Sequence, residues 1–235
     1  MENVIIAGMG VMGKAISKAF DSYHFFNYSG MDVKNIPDSG CIILAVKAED
    51  FAELAEFLKP KLTDDHLVIS IINGMTIKEI KDQLGEYVMV ARAIPSVTCP
   101  TRRGIIPYCT DGRASRTDVE EVIKMMGNFQ YVDEKFFPAM TALVGIGPAY
   151  VAAFSKAMED AAVTLGLDRD IASVFIDKTL LSSSILLEEK TANQIISEVC
   201  GPGSSSMRAM NAMQEKGLSS IIAEALVSTK EAFDS

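Results

Sequence analysis

Three glycines near the N-terminus have the spacing of a phosphate-binding turn. The segment IIAGMGVMGKAI carries Gly8, Gly10 and Gly13 as G-x-G-x-x-G, between an apolar strand-like run and a helix-like one. In this motif the first glycine forms a tight turn, the second lets a pyrophosphate approach, and the third lets helix pack on strand. A chance glycine turn is the alternative. The residues expected to line the pyrophosphate are Gly8, Met9, Gly10, Val11, Met12 and Gly13.

Further candidate cofactor residues follow the later apolar runs. Ligands of open α/β sheets bind beyond the carboxyl ends of the strands, so these positions indicate a cleft above a sheet. Ordinary loop composition would explain the same residues. The candidates are Asn27, Tyr28 and Ser29 after the second run, Ala45, Val46, Lys47 and Ala48 after the third, Asn73, Gly74 and Met75 after the fourth, and Ser96 after the fifth.

The second strand lacks the usual signal for cofactor choice. An acidic residue normally follows this strand and holds the ribose. Here Asp32 follows the predicted strand, but later than the usual position. Lys34 is the nearby cation that could bind a 2′-phosphate. The alternative is that Lys34 is an ordinary surface lysine. Only residues 29–40 separate this strand from the next, which is close to the minimum for a crossover with a helix.

A second candidate site lies late in the chain, in VCGPGSSSMRAM (residues 199–210). Proline and glycine end the preceding structure, and three serines open a new helix. A helix that begins near Gly203 offers unpaired N–H groups and a positive dipole end to a carboxylate. We expect backbone donors at Ser204 and Ser205. Helix capping without any ligand is the alternative, and the residue types alone favour it.

Periodicity indicates two kinds of structure. Short runs rich in Val and Ile alternate with amphipathic segments up to residue 134, which predicts a doubly wound parallel sheet of the Rossmann type. The strands are predicted at 3–8, 24–28, 41–46, 67–72, 87–92, 104–109 and 129–132. The helices between them are predicted at 11–22, 49–59, 76–84 and 115–127.

The rest of the chain reads as helix, at 135–144, 147–166, 168–190 and 207–233. We therefore predict a dinucleotide-binding domain at 1–140 and an all-α domain at 141–235. Several of these helices are apolar on more than one face, which indicates contact with another subunit. Packing of the helices on each other is the alternative.

Composition excludes several classes of function. The 235 residues carry a net charge of −9, which disfavours a nucleic-acid partner. Four cysteines and two histidines lack metal-binding spacing, so we expect no metal, and free thiols indicate a reducing compartment. The N-terminal apolar run is too short for a signal peptide, and no stretch approaches the ~18 apolar residues of a membrane span. These features predict a cytoplasmic protein without a membrane partner.

The motifs together resemble the pyrroline-5-carboxylate reductase family over nearly the whole chain. ILAVKA is similar to the family's I-L-A-V-K-P, and RAIPSVTCPTRRG to its R-x-M-P-N-T-P-x-x-x-x-G. TALVGIGPAYVAAF is similar to the helix that opens S-G-S-G-P-A-Y, and VCGPGSSS to V-x-S-P-G-G-T-T. A collinear series of this kind is more specific than any single motif.

The resemblance implies a Rossmann domain followed by a helical dimerisation domain, in a homodimer or higher homo-oligomer. It implies reduction of 1-pyrroline-5-carboxylate, a small imino acid, to L-proline with NADP or NAD as cofactor, and it favours NADPH slightly. Gly203, Ser204, Ser205 and Ser206 then become substrate-binding candidates. Ser206 aligns with a family threonine whose hydroxyl faces the substrate nitrogen, and this makes it the catalytic candidate. Glu189 aligns with a family glutamate, which makes it a further substrate-binding candidate. The alternative is that Glu189 is a solvated carboxylate at a helix end.

Departures from the family pattern keep two other functions open. Ala48 replaces a proline, Ser96 an asparagine, and Val144 and Ile146 two serines. The substituted S-G-S-G-P segment, with Val144 and Ile146, would suit a reductase of a related cyclic imine or of a small keto acid. The shortened second crossover would suit a non-catalytic NAD(P)-binding paralogue with a regulatory role.

Overall fold

The computed structural model describes residues 4–20, 24–26 and 36–234, and the chain forms two compact units. One unit comprises residues 1–148 and 229–235, and the other comprises residues 149–228. The first holds the sheet and the second is helical. The predicted fold class, a Rossmann-type sheet followed by an all-α part, is confirmed. The predicted domain boundary between residues 140 and 141 stays a prediction.

Seven strands of the described chain form one sheet, in the order β2-β1-β3-β4-β5-β6-β7. Each overlaps a predicted strand. The continuous apolar runs of β1, β3, β4 and β5 are buried on both faces of the sheet, whereas β7 is largely exposed. The strands are β1 (Val4–Ala7), β2 (His24–Phe26), β3 (Gly40–Leu44), β4 (His66–Ser70), β5 (Met89–Ala93), β6 (Ile105–Thr110) and β7 (Asn128–Tyr131).

The last two strands run opposite to the first five. β1 to β5 are parallel, β6 pairs antiparallel with β5, and β7 runs parallel to β6. The alternation of strands and helices did not predict this reversal. A parallel return needs a crossover of about a dozen residues or more, usually with a helix. Residues 94–104, between β5 and β6, hold only the 3-10 turn Cys99–Thr101, so β6 returns antiparallel.

Four helices cover the two faces of the sheet. The helices are α1 (Val11–Ser17), α2 (Phe51–Leu58), α3 (Ile77–Leu84) and α4 (Arg116–Ile123). One apolar cluster joins the sheet to α2 and α3, and a second joins its other face to α1 and α4. The residues that follow β1, β3 and β4 therefore lie at one edge of a sheet whose faces are both packed.

A connector of short helical turns follows β7. It comprises the 3-10 turn Glu134–Phe136, helix α5 (Phe137–Met140) and the π-helical turn Thr141–Gly145. A regular helix was predicted for most of this stretch. The π turn widens the backbone, since the N–H of Ile146 bonds the carbonyl of Thr141, five residues earlier.

Five longer helices follow: α6 (Gly147–Thr164), α7 (Arg169–Glu189), α8 (Ala192–Val199), α9 (Ser205–Glu215) and α10 (Leu218–Asp234). Helix α8 was not predicted, although Thr191 and Gln194 form a capping box at its start. The prediction of a single helix at 207–233 is wrong. The helical stretch is divided at Gly217, whose φ of +81° lies outside the helical region.

These helices bury little of their apolar surface. Among the described side chains, α6, α8, α9 and α10 have no buried residue, and α7 has only Ala172 and Ile176. Phe175 is 69% exposed and Ile221 is 61% exposed. Such surfaces mark contact with another molecule.

One helical stretch passes a test for membrane spanning. By length and composition alone, the 31 residues Glu134–Thr164 are long and apolar enough to cross a membrane. Of the apolar 18-residue segment within them, 17% is buried. The prediction that no stretch approaches a membrane span is wrong by this criterion. A helix that packs against a partner subunit has the same property, so the finding by itself is weak evidence for a membrane.

Candidate functional site

The turn after β1 is built on backbone contacts that only glycine allows. Gly8 has a φ of +104°, and a Cβ on it would lie 2.5 Å from the carbonyl oxygen of Ala45. A Cβ on Gly13 would lie 2.0 Å from the carbonyl oxygen of Gly8. Helix α1 and the end of β3 therefore both lie directly against Gly8. These are the turn and packing roles that the sequence assigns to the first and third glycines.

Gly10 differs from the other two glycines because the space beside it is open. No atom lies within 4 Å of the position of its missing Cβ, and the residue is exposed as the N-cap of α1. Val11 is 76% exposed, although it is apolar, while Met9 and Met12 are half-buried. The first turn of α1 thus has room for a ligand against its backbone.

The end of β3 contributes a second part of the same edge. Ala45 and Val46 are half-buried, and Lys47 and Ala48 are exposed. The ammonium of Lys47 lies 3.0 Å from a carboxylate oxygen of Glu49, and this hydrogen bond raises the pKa of the lysine. The positive charge of Lys47, at the end of β3, is therefore paired with a carboxylate.

The ends of β4 and β5 complete the edge. Asn73 and Gly74 are exposed, Gly74 has a φ of +78°, and Met75 is buried in the core. Ser96 is also buried, and its hydroxyl oxygen lies 2.6 Å from that of Thr98. Parallel pairing of β1, β3, β4 and β5 brings these predicted residues to one side of the sheet.

A cavity of about 310 Å³ opens beside the end of β4. Its lining includes Gly74 and Met75 together with a partly buried ion pair between Arg92 and Glu134, whose closest atoms are 3.0 Å apart. Sequence reasoning missed this pair. The signal was an arginine within the apolar run of β5, because a charge in such a position needs a partner.

Three predicted cofactor residues, Asn27, Tyr28 and Ser29, lie outside the described residues, as do Asp32 and Lys34. The structure therefore gives no geometry for the segment that normally selects between NAD and NADP.

In the helical unit, the serine turn begins α9. Ser204 is the N-cap, and its hydroxyl oxygen accepts the N–H of Met207 at 3.1 Å. The N–H of Ser204 donates to the carbonyl of Gly201, which corrects the prediction of a free donor there. The N–H groups of Ser205 and Ser206 have no acceptor among the described residues, so the two donors available at this turn lie one residue later than predicted. Gly203, with a φ of +75°, supplies the bend before the helix.

The hydroxyl of Ser206 has a fixed direction in this turn. It donates to the carbonyl of Val199 at 2.8 Å, and it also lies 2.8 Å from the hydroxyl of Ser204. A hydroxyl has one proton, so Ser204 must be the donor to Ser206. The oxygen of Ser206 can then only accept a further hydrogen bond.

Glu189 is the last residue of α7 and is exposed. It lines a surface cleft with Ser182, Ser183, Ile185 and Leu186, all on the same helix. The serine turn does not contribute to the lining of this cleft.

The described residues contain no group of three or more His, Cys, Asp or Glu that could hold a metal ion. All four cysteines are buried and free of disulfides. Burial raises the pKa of Cys99 to about 11 and that of Cys109 to about 12, so both stay protonated at neutral pH. Neither thiol is suited to nucleophilic chemistry or to metal binding.

The helical part of the chain matches a known family model. The model for pyrroline-5-carboxylate reductase dimerisation covers residues 134–234, from the connector to the end of α10. The structure is also similar to a crystal structure of Plasmodium falciparum pyrroline carboxylate reductase with NADP bound. The TM-score is 0.87 at 21% identity, over 98% of this chain and 96% of that one.

Two curated relatives match across both parts of the chain. Pyrroline-5-carboxylate reductase of Aquifex aeolicus is 30% identical over 206 residues, which are 85% of this chain and 77% of the relative. Pyrroline-5-carboxylate reductase 2 of Bacillus subtilis is 31% identical over 179 residues, which are 74% of this chain and 64% of the relative.

Alanine substitutions at Gly13 and at Gly10 should differ in their effect on stability. We expect Gly13→Ala to lower the free energy of unfolding by about 1–3 kcal/mol, because its methyl group would overlap the carbonyl of Gly8. Gly10→Ala should stay within about 0.5 kcal/mol of the wild type, because its methyl group enters open space. Urea unfolding followed by circular dichroism measures both. Equal losses in the two variants would contradict the described packing.

Proposed function

Because the chain belongs to the pyrroline-5-carboxylate reductase family, we propose that it reduces the C=N bond of 1-pyrroline-5-carboxylate to give L-proline, by hydride transfer from NADPH or NADH. The observation that carries this proposal is the open glycine turn at the edge of the parallel sheet, in a chain that aligns with reductases over both of its parts. The dinucleotide supplies the hydride when bound, and the protein binds and orients both reactants.

The glycine turn fits a dinucleotide pyrophosphate. Gly10 leaves its side of α1 uncovered, and the backbone N–H groups of the first turn can meet phosphate oxygens there. Lys47 places an ammonium at the same edge, where it is paired with Glu49. The ends of β4 and β5, with Asn73, Gly74 and Ser96, would extend the seat along the sheet. We retain the slight preference for NADPH over NADH as part of the proposal.

The serine turn fits the carboxylate of the substrate. The N–H groups of Ser205 and Ser206, at the positive end of the α9 dipole, are suited to bind two carboxylate oxygens. Gly203 carries no side chain that would block this approach, since nothing lies within 4 Å of its missing Cβ. Glu189 is retained as a candidate for the substrate pocket.

The direction of the Ser206 hydroxyl specifies which form of the substrate nitrogen it can meet. Its proton is bound by Val199, so its oxygen can accept a hydrogen bond from a nitrogen that carries a proton. A protonated imine offers that proton and is also the form most easily reduced, because its carbon is more electrophilic. We therefore assign Ser206 to hold the protonated imine nitrogen as an acceptor, and not to act as a nucleophile.

The assay of the purified protein tests this function. We expect consumption of NADPH or NADH in the presence of 1-pyrroline-5-carboxylate, followed at 340 nm, with L-proline as the product. Ser206→Ala should lower kcat/KM by about tenfold or more, because it removes a hydrogen bond to a charged group. The affinity for the cofactor should stay unchanged.

Ser197→Ala is the matched control, because the Ser197 hydroxyl also donates to a backbone carbonyl, that of Asn193, at 2.8 Å. It should keep wild-type kinetics. Turnover only of another cyclic imine or a small keto acid would favour the second enzyme function. Binding of the cofactor without turnover of any of these compounds would favour the regulatory paralogue. Wild-type kinetics in Ser206→Ala would remove that residue from the site.

We also infer that the helical unit forms a homodimer or a higher homo-oligomer. Its helices expose apolar side chains along their length, and the residues belong to the stretch that matches the dimerisation model. A second copy can cover such faces by symmetry. A cytoplasmic location, and the absence of nucleic-acid and membrane partners, stay predictions.

Sedimentation-velocity centrifugation measures the assembly. We expect a species of at least twice the chain mass of 25.4 kDa at micromolar concentration, without detergent. Phe175→Asp should shift the protein towards smaller species, because it places a charge in an apolar contact. A wild type that is monomeric, or that needs detergent to stay in solution, would contradict the inference and favour a membrane contact.

A further inference from the structure

An ion pair lies near each end of helix α3, and one of the two includes a residue of the helix itself. At its C-terminal part, Lys81 lies 2.8 Å from Asp111, and the two side chains are 9% and 4% exposed. At its N-terminus, Glu134 pairs with Arg92, whose side chain is 9% exposed. The residues of each pair are distant in sequence. Only the N-terminal pair lines the cavity beside the predicted cofactor edge.

The N-terminal pair joins three parts of the fold through one oxygen. Oε1 of Glu134 accepts the backbone N–H of Ile77, the first residue of α3, at 2.7 Å. The same oxygen accepts the guanidinium of Arg92, from β5, at 3.0 Å. The guanidinium also lies 4.5 Å from the ring centre of Phe137, in the connector. Glu134 therefore ties the start of α3 to the sheet and to the connector.

This tie lies next to residues that we assign to the cofactor. Ile77 follows Met75 by two residues, and Gly74 and Met75 line the same cavity as Arg92 and Glu134. Asn73 and Gly74 are exposed, and no atom lies within 4 Å of the missing Cβ of Gly74, so apart from the buried Met75 the loop after β4 depends on its two ends for its position. One end is β4 itself, and the other is the start of α3.

Loss of the carboxylate would free that second end. The capping box of Thr76 and Glu79 would still satisfy part of the helix start, but the N–H of Ile77 would lose its acceptor. The buried guanidinium would lose its anionic partner and would seek water or another acceptor. The first change acts on the start of α3, and the second acts in the cavity that Arg92 lines together with Gly74 and Met75.

We propose that Glu134 and Arg92 are positioning residues for the dinucleotide: their ion pair holds the loop 73–75 in the conformation that binds the cofactor. The inference rests on the proposed function, since it assigns these residues to support the cofactor seat named there. This role needs no contact of either residue with the cofactor and no chemical step from them.

Titration of NADPH, and separately of NADH, into the full-length protein tests the proposal through the quenching or enhancement of nicotinamide fluorescence. Glu134→Ala should raise the dissociation constant about tenfold or more, the size expected when a misplaced binding group loses its contacts. Glu134→Gln should stay within about threefold of the wild type. Its amide oxygen can still accept from Ile77 and Arg92, although the loss of charge lowers the unfolding temperature.

Asp111→Ala is the matched control. It removes the buried anion that holds the other end of the same helix, so it should lower the unfolding temperature while cofactor affinity stays within about threefold of the wild type. If Glu134→Ala does not fold, Glu134→Asp replaces it. The shorter side chain keeps the charge but cannot reach both donors, and it should weaken binding by about threefold or more.

Two results would overturn the proposal. One is wild-type affinity in Glu134→Ala, or in Glu134→Asp where that variant is used. The other is an equal loss of affinity in Asp111→Ala, which would show a general effect of destabilising α3. A wild type that binds neither dinucleotide would overturn the proposed function itself, together with the inference that rests on it.

Discussion

The contact between the backbones of Gly8 and Gly13 is the constraint on which the cofactor unit depends. A methyl group at position 13 would lie 2.0 Å from the carbonyl oxygen of Gly8, so helix α1 can take its place only with glycine there. A second close contact, between Gly8 and the carbonyl oxygen of Ala45, places the end of β3 against the same glycine. With both neighbours packed this tightly, Gly10 is left with open space at the start of the helix, and the edge of the parallel sheet has room for the proposed ligand.

Much of this unit could be predicted from the sequence, because its local signals agree with the fold. Runs of Val and Ile predict strands buried on both faces, and the glycine spacing predicts the turn that the structure shows. The reversal of β6 could not be predicted from the run itself. It follows from the short link after β5, which has no room for a crossover helix. The pair of Arg92 and Glu134 joins positions 42 residues apart, and no local pattern connects them.

The helical unit was harder to predict because its stability does not come from local pattern alone. Its helices bury few side chains within one chain, so their apolar faces show no single periodicity that marks a core. The serine turn was found from its residue types, but its hydrogen bonds were not. Ser204 donates its N–H to Gly201 and its hydroxyl to Ser206, and these two bonds leave donors only at Ser205 and Ser206. Three serines in a row thus have three different roles.

We propose that a dinucleotide binds in the open space at Gly10. Isothermal titration of NADPH and of NADH into the wild type and Gly10→Val tests it most directly. We expect one bound dinucleotide per chain in the wild type and none detectable in the variant, at an unfolding temperature close to that of the wild type, because the new side chain enters the phosphate seat at a position where no protein atom lies within 4 Å of its Cβ. Equal affinity in the two proteins would contradict it.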